Sequence, residues 1–209
     1  MCGIVGYLGK RQAAPIILEG LRRLEYRGYD SAGIAVFNGG KFELHKKRGK
    51  IDEGLGKLIG EEPLHGSLGL GHTRWATHGA PTDENSHPHF DQSGRISVVH
   101  NGVIENYDRI KQRMIKGGHT FKSATDTEVL AHLIGEHYEK LAGSNLNGTH
   151  PLTQAVSNAL KEVIGTYGIG VISLDDPGII VGARRGSPLI VGIGEGENFL
   201  ASDTCAIVS

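Results

Sequence analysis

Short apolar runs of β-forming residues stand at both ends of this chain, with helical patterns gathered between them, and that order leaves few architectures open. IVGYL (4–8), the pair AGIAVF and KFELHKK around Asn38-Gly39-Gly40, SLGLGHTRW and RISVVHNG read as strands in the first half. GIGVISL, GIIVGARR, PLIVGIG and NFLASD read as strands near the other end, separated by Asp-Pro-Gly, Gly-Ser-Pro and Gly-Glu-Gly turns. Asn38-Gly39 supplies the positive φ angles that a tight hairpin turn requires. PIILEGLRRLEYRG (15–28) has helical spacing, with Ile17, Leu21 and Leu24 on one face and Gly28 as its stop. Further helices are expected over NYDRIKQRMIKGG, over TEVLAHLIGEHYEKL, and from Pro151 to Val163; Thr125 and Glu128 have the spacing of a capping box. Between two strands, ATHGAPTDENSHPHFDQSG is too polar and turn-rich for either element and reads as a long loop, a common home for function. Strict strand and helix alternation is missing, so the pattern predicts an α+β layered domain rather than a doubly wound parallel sheet.

Composition narrows the class of partner. The net charge is −1, so no global basic field argues for nucleic acid, and the densest basic run, KKRGK at 46–50, reads as the border of an exposed turn. No apolar stretch approaches the roughly 18–20 residues of a membrane span, and the start lacks a secretory pattern. The chain is therefore expected in the cytoplasm, with Cys2 and Cys205 as free thiols in a reducing compartment and Cys205 serving as a small core residue. Glycine is abundant, at 32 residues, which implies many tight turns and close backbone approaches.

MCGIVGY places a thiol directly after the initiator methionine. Removal of Met1, favoured when the next residue is small, would leave Cys2 with a free α-amine beside its thiol. An α-amino group titrates at about 7.7–8.0, so near neutral pH it can take the thiol proton, and one residue then holds both nucleophile and base. A cysteine there by chance is the alternative, and the residue alone leaves both open. The apolar run that follows would anchor a chain end that otherwise frays.

Taken together, MCGIVGY, RRLEYRGYDSAG (22–33), GHTRWATHG (71–79), VVHNGVIEN (98–106) and TDTEV (125–129) resemble the glutaminase domains of the glutamine:fructose-6-phosphate aminotransferase family. Cys-Gly-Ile at the start is shared with other class II glutamine amidotransferases, whereas the wording of EYRGYDSAG and HTRWATHG is specific to the aminotransferases. The resemblance spans residues 1–209 as a single domain. It implies an N-terminal nucleophile fold, a four-layer αββα sandwich of two antiparallel sheets between helical layers. It implies hydrolysis of L-glutamine to glutamate and ammonia through a Cys2 thioester, with no cofactor and no metal. In the full-length enzymes, homo-oligomers by the same implication, downstream sugar-isomerase domains not included in this chain bind fructose 6-phosphate and turn the ammonia into glucosamine 6-phosphate.

By the same resemblance, Arg74 binds the glutamine α-carboxylate, for which its planar fork is suited, and Asp126 holds the α-ammonium. Thr77, His78 and Gly102 contact the substrate, Trp75 gates the site, and Arg27 lines it near the nucleophile, where it would favour the thiolate. The Asn101 side chain and the Gly102 N–H form an oxyanion hole. Without the resemblance, the residues allow plainer roles: a surface ion pair for Arg74, a helix cap for Asp126, a core position for Trp75 and a turn for Asn101-Gly102.

Two rival classes remain to be weighed. Eleven histidines, with His72, His78, His87 and His89 around the polar loop, invite a metal, but none of their spacings is a known ligand pattern, and structural or substrate-lining histidines are expected. A binding module that has lost catalysis finds no support, since every catalytic residue type is present.

Overall fold

The computed structural model describes residues 2–76, 79–141, 146 and 148–208. In chain order the first half contains β1 (Gly3–Leu8), α1 (Ala13–Leu24), β2 (Ser31–Asn38), β3 (Lys41–Arg48), α2 (Leu55–Glu61), β4 (Leu68–Arg74), β5 (His89–Phe90) and β6 (Ile96–Ile104). The second contains α3 (Tyr107–Lys116), α4 (Asp126–Lys140), α5 (Pro151–Glu162), β7 (Gly165–Ser173), β8 (Val181–Arg185), β9 (Ile190–Gly194) and β10 (Glu197–Ala201). The strands form a six-stranded sheet in the order β3-β2-β4-β1-β10-β9 and a four-stranded sheet in the order β5-β6-β7-β8. Every strand pairing in both is antiparallel.

Three apolar clusters explain how these sheets stack. Ile17, Leu21 and Leu24 of α1 join Leu55 and Ile59 of α2 on the outer side of the larger sheet. Met114 of α3, Leu133 of α4 and Leu152 of α5 pack on the outer side of the smaller one, against Val98 and Ile169. Between the sheets, Ile4, Leu68 and Leu70 meet Val99 and Ile172. Side chains alternate across a strand, so each strand can feed a helix with one face and the opposite sheet with the other. The resulting order, helix, sheet, sheet, helix, is the αββα sandwich that the resemblance implied.

Local readings hold with some shifts. The hairpin forms, but Asn38 pairs with Lys41, so Gly39 (φ 55°) and Gly40 (φ 87°) are the turn residues rather than Asn-Gly. The first helix ends at Leu24, followed by a 3-10 turn to Arg27, and Gly28 is extended (φ −173°). What Gly28 contributes is its lack of a side chain, because a Cβ there would lie 3.0 Å from the Arg74 carbonyl oxygen. The loop after β4 does contain a strand: His89 and Phe90 pair with Val98 and Ser97 of β6. Two residues are too few for alternation to signal a strand. α2 was also not anticipated, since only Leu55 and Ile59 mark its buried side. Thr125 caps α4 by accepting a hydrogen bond from the Glu128 N–H at 3.3 Å; the Glu128 carboxylate reaches back instead to the N–H groups of Lys122 and Ser123, so the reciprocal half of the box is displaced. Cys205 lies half-buried against the core beneath α1, as expected.

α1 sits so close to β4 that Gly71 touches it: an added Cβ would lie 2.3 Å from Ile17 Cγ2 and 3.0 Å from Leu21 Cδ1. Both neighbours are fully buried and have nowhere to retreat. Gly71→Ala is therefore expected to cost about 1–3 kcal/mol by overpacking. Urea denaturation of the two proteins measures this, and an unchanged midpoint would contradict the packing described.

Candidate active site

The backbone just after Cys2 is held by the sheet on both sides. Gly3 pairs with Thr73 of β4, while the Ile4 N–H donates to Ser202 Oγ at 2.9 Å and the Ile4 carbonyl accepts from the Ser202 N–H at 3.1 Å. Cys2 thus starts from the middle of the six-stranded sheet rather than from a frayed end. Its thiol sits beside the strand-to-loop transition after β4, where the Trp75 N–H donates to Sγ at 3.2 Å and Sγ lies 3.5 Å from the Trp75 carbonyl oxygen. From the facing sheet, Asn101 Nδ2 donates to the Cys2 carbonyl at 3.0 Å.

These groups line a cavity of about 300 Å³ together with Arg27, Arg74, Gly102 and Asp126. Arg74 is buried at the end of β4, and its Nη1 and Nη2 donate to the carbonyls of Ala80 and Gly79 at 3.2 and 3.1 Å. Asp126 opens α4 and accepts from the Ile104 N–H at 2.8 Å through Oδ2. The cavity therefore carries a cation and an anion beside a cysteine sulfur. Burial pushes the Cys2 thiol up from its ordinary value, opposed by the Trp75 hydrogen bond and by the positive charge of Arg74. Burial also lowers Arg74.

Most of the residues singled out from the sequence converge here. Trp75 is not a core residue: it is 49% exposed and meets Tyr29 edge to face, with ring centroids 5.3 Å apart. Arg27 lines the cavity with its guanidinium turned toward the far end of the chain, where Nη1 donates to the Ser202 carbonyl at 3.2 Å and pairs with Asp203 at 3.1 Å. Asp126 is the first helical residue, and the capping duty falls to Thr125. Gly102 has φ 130°, and a Cβ there would lie 2.2 Å from the Thr166 carbonyl oxygen, so only glycine fits. Thr77, His78 and Met1 lie outside the described residues.

Other participants escape a sequence reading. Asp30 accepts from the Ala76 N–H, and the Asp30 N–H donates to the Arg74 carbonyl at 3.1 Å, so part of the EYRGYDSAG run serves to hold the segment after β4. Ser187 and Pro188 reach the cavity from the turn before β9. Their Gly-Ser-Pro context signals only a turn.

Comparison with known proteins bears on the family and the fold. A family model described as "Glutamine amidotransferase domain" matches residues 60–164. A glutamine–fructose-6-phosphate aminotransferase [isomerizing] of Caldanaerobacter subterraneus subsp. tengcongensis is 52% identical over 208 residues, covering 100% of this chain and 32% of that protein. The protein of the same name from Thermus thermophilus is 53% identical, again over 100% of this chain and 32% of its own length. The chain thus spans about a third of these curated relatives. Among solved structures, glutamine phosphoribosylpyrophosphate amidotransferase from B. subtilis superposes with TM-score 0.78 at 29% identity, over 98% of this chain and 42% of that one. A structure titled as the allosteric regulatory enzyme of purine biosynthesis gives TM-score 0.81 at 31% identity, with the same coverage.

Behind the cavity, the histidines that suggested a metal stack on one another. His72 and His87 lie face to face with centroids 4.2 Å apart, and His87 meets His89 edge to face at 4.9 Å. Among the described residues no group of three or more potential ligands converges on one point. Desolvation dominates their titration: His72 is lowered to about 3, and His87 and His89 fall well below the ordinary imidazole value. Each is then neutral when folded and protonated when unfolded below about pH 6.5, so its contribution to stability is complete above that pH and lost as the pH falls toward the folded value. Each such histidine removes up to about 1.4 kcal/mol per pH unit in that window. The urea midpoint is accordingly expected to fall steeply between pH 7 and pH 5, above the carboxylate range; a flat profile would refute this account of the histidines.

Proposed function

This chain belongs to the glutamine amidotransferase domain family, and we propose that it hydrolyses L-glutamine to glutamate and ammonia with Cys2 as the nucleophile. The observation that carries the reading is the cavity itself, in which a cysteine sulfur, a buried arginine and a buried aspartate face one small volume. Glutamine offers a complementary set: a carboxylate for Arg74, an ammonium for Asp126 and a side-chain amide for the thiol.

The chemistry follows from the environment of the sulfur. Burial keeps the thiol protonated near neutral pH, so it needs a base. The α-amine of Cys2, released by removal of Met1, takes that proton as sulfur attacks the amide carbon. The Trp75 N–H stabilises negative charge on the sulfur, and the second hydrogen of Asn101 Nδ2 and the Gly102 N–H are assigned to the oxygen of the tetrahedral intermediate, supported by the bond of Nδ2 to the Cys2 carbonyl. The intermediate collapses, the C–N bond breaks, and the nitrogen leaves as ammonia with the proton held by the amine. Water then adds to the γ-glutamyl thioester, the C–S bond breaks, and glutamate leaves while the thiol regains its proton.

Thr77 and His78 are assigned as further glutamine contacts on the resemblance alone, and Trp75, exposed at the mouth beside Tyr29, as the gate. The relatives' name includes fructose 6-phosphate, which we take as the acceptor of the ammonia in a longer protein, giving glucosamine 6-phosphate. No helix among the described residues is long and apolar enough to cross a membrane, and a cytoplasmic setting would keep the Cys2 thiol reduced.

Two experiments test this. Cys2→Ala is expected to abolish ammonia release from glutamine, and so is any form in which Met1 is retained, verified by intact mass; substantial turnover in either refutes the mechanism. Asp126→Asn keeps an acceptor for the Ile104 N–H but removes the charge. Its kcat/KM for glutamine should fall roughly 10- to 100-fold, as expected for loss of a charge-assisted hydrogen bond of about 1.5–3 kcal/mol. An unchanged value would remove Asp126 from substrate binding.

A further inference from the structure

The Asn101 carboxamide can be placed in two ways that differ by exchange of oxygen and nitrogen, and only one presents N–H groups to Cys2. With the oxygen turned toward the nucleophile, Asn101 would set one acceptor against another at the Cys2 carbonyl and repel an oxyanion. The Cys2 carbonyl favours the first, but it holds the amide from one end only and leaves the other end to be fixed. We propose that His72 fixes that other end, acting as a positioning residue that locks the Asn101 amide with its donors toward Cys2; the proposal rests on the glutaminase reading above for its catalytic consequence, although not for its geometry.

The argument runs through hydrogen-bond polarity. His72 Nε2 lies 3.0 Å from the His100 carbonyl oxygen, which can only accept, so Nε2 must carry a hydrogen. The same nitrogen lies 2.9 Å from the Asn101 side chain. That one hydrogen is shared between the two oxygens, and an Nδ2 in place of Oδ1 would set N–H against N–H, so Oδ1 faces His72 and Nδ2 faces the Cys2 carbonyl, 3.0 Å away. The backbone of β6 thus dictates the tautomer, the tautomer dictates the amide, and the amide dictates what the nucleophile sees.

The rest of the surroundings hold the ring in that state. Among the described residues, His72 Nδ1 is a buried atom without a hydrogen-bond partner, which a bare lone pair tolerates better than an N–H. His72 is 0% exposed, and His87 stacks on it at 4.2 Å with a 27° interplanar angle, so the ring has no room to turn over. Burial keeps it neutral. His72 projects from β4 on the same face as Leu68 and Leu70, and Asn101 from β6 on the same face as Val99, so the bond crosses the seam between the two sheets.

The test combines a measurement on the resting protein with kinetics. In the 15N-histidine-labelled chain, His72, assigned by its disappearance in His72→Gln, is expected to show the Nε2–H tautomer; an Nδ1–H tautomer overturns the proposal whatever the kinetics show. His72→Phe keeps a ring against His87 but removes the donor. For it, kcat should fall roughly 10- to 100-fold, less than the roughly 100- to 1000-fold of deleting an oxyanion donor because the carboxamide remains, while KM for glutamine stays within about threefold. His72→Gln, whose terminal NH2 can donate from a similar place, should recover most of the loss. A rise in KM with kcat unchanged, or kcat within threefold of the parent in His72→Phe, overturns the proposal. If His72→Phe does not fold, the tautomer together with His72→Gln kinetics decides in the same way. If the parent chain releases no ammonia at all, the glutaminase reading falls, and the nitrogen shifts still determine whether His72 donates to Asn101.

Discussion

The seam between the two sheets is the contact on which everything else rests. Over most of its length it is apolar, with Ile4, Leu68 and Leu70 of one sheet against Val99 and Ile172 of the other. At one end it turns polar, and there His72 and Asn101 meet and Asn101 reaches the carbonyl of Cys2. The apolar part supplies the driving force for stacking, at roughly 25 cal/mol per Å² of apolar surface removed from water. The polar end converts that stacking into chemistry, because only when the sheets are seated do groups from β4 and β6 come within hydrogen-bonding distance.

A chain terminus is a poor place for a precise group unless its neighbours are rigid. Here β1 runs between β4 and β10, so residues as far along the chain as Thr73 and Ser202 fix its first residues. The segment after β4 is fixed in its turn by Asp30, which bonds Ala76, while the Arg74 carbonyl packs against Gly28. The EYRGYDSAG and HTRWATHG runs are thus two halves of one clamp around the sulfur. This explains why a stretch with so few catalytic side chains carries so much of the resemblance.

Electrostatics follow the same division. Arg74 and Asp126 bring opposite charges into a shared cavity, each secured by main-chain partners, so neither depends on mobile solvent-facing contacts for its position. His72, His87 and His89 are kept neutral by burial and packed against one another. Of the four histidines that suggest a metal in the sequence, the three described ones form a contiguous set of packed rings.

Much of this was legible from local pattern. The strands flanking the hairpin, the face of α1 carrying Ile17, Leu21 and Leu24, and the Thr125 cap all follow from periodicity and turn chemistry, since these depend on near neighbours in the chain. The roles expected of Cys2, Arg74, Asn101 and Asp126 came from the family resemblance of their motifs, since the residue types alone left plainer roles open. β5, α2 and the part played by Ser187 and Pro188 were not legible, for two paired residues, one short helix and one turn leave no periodic trace. The sequence by itself therefore determined most of the element types and, through its resemblance, the αββα class and the residues to look for at the site. Only the tertiary structure decided that Trp75 offers its main chain to the sulfur, that Arg27 points to Asp203, and that His72 sets the Asn101 amide. The reason is physical: hydrogen-bond polarity and burial at these points are set by atoms tens of residues apart, brought together only when the two sheets close.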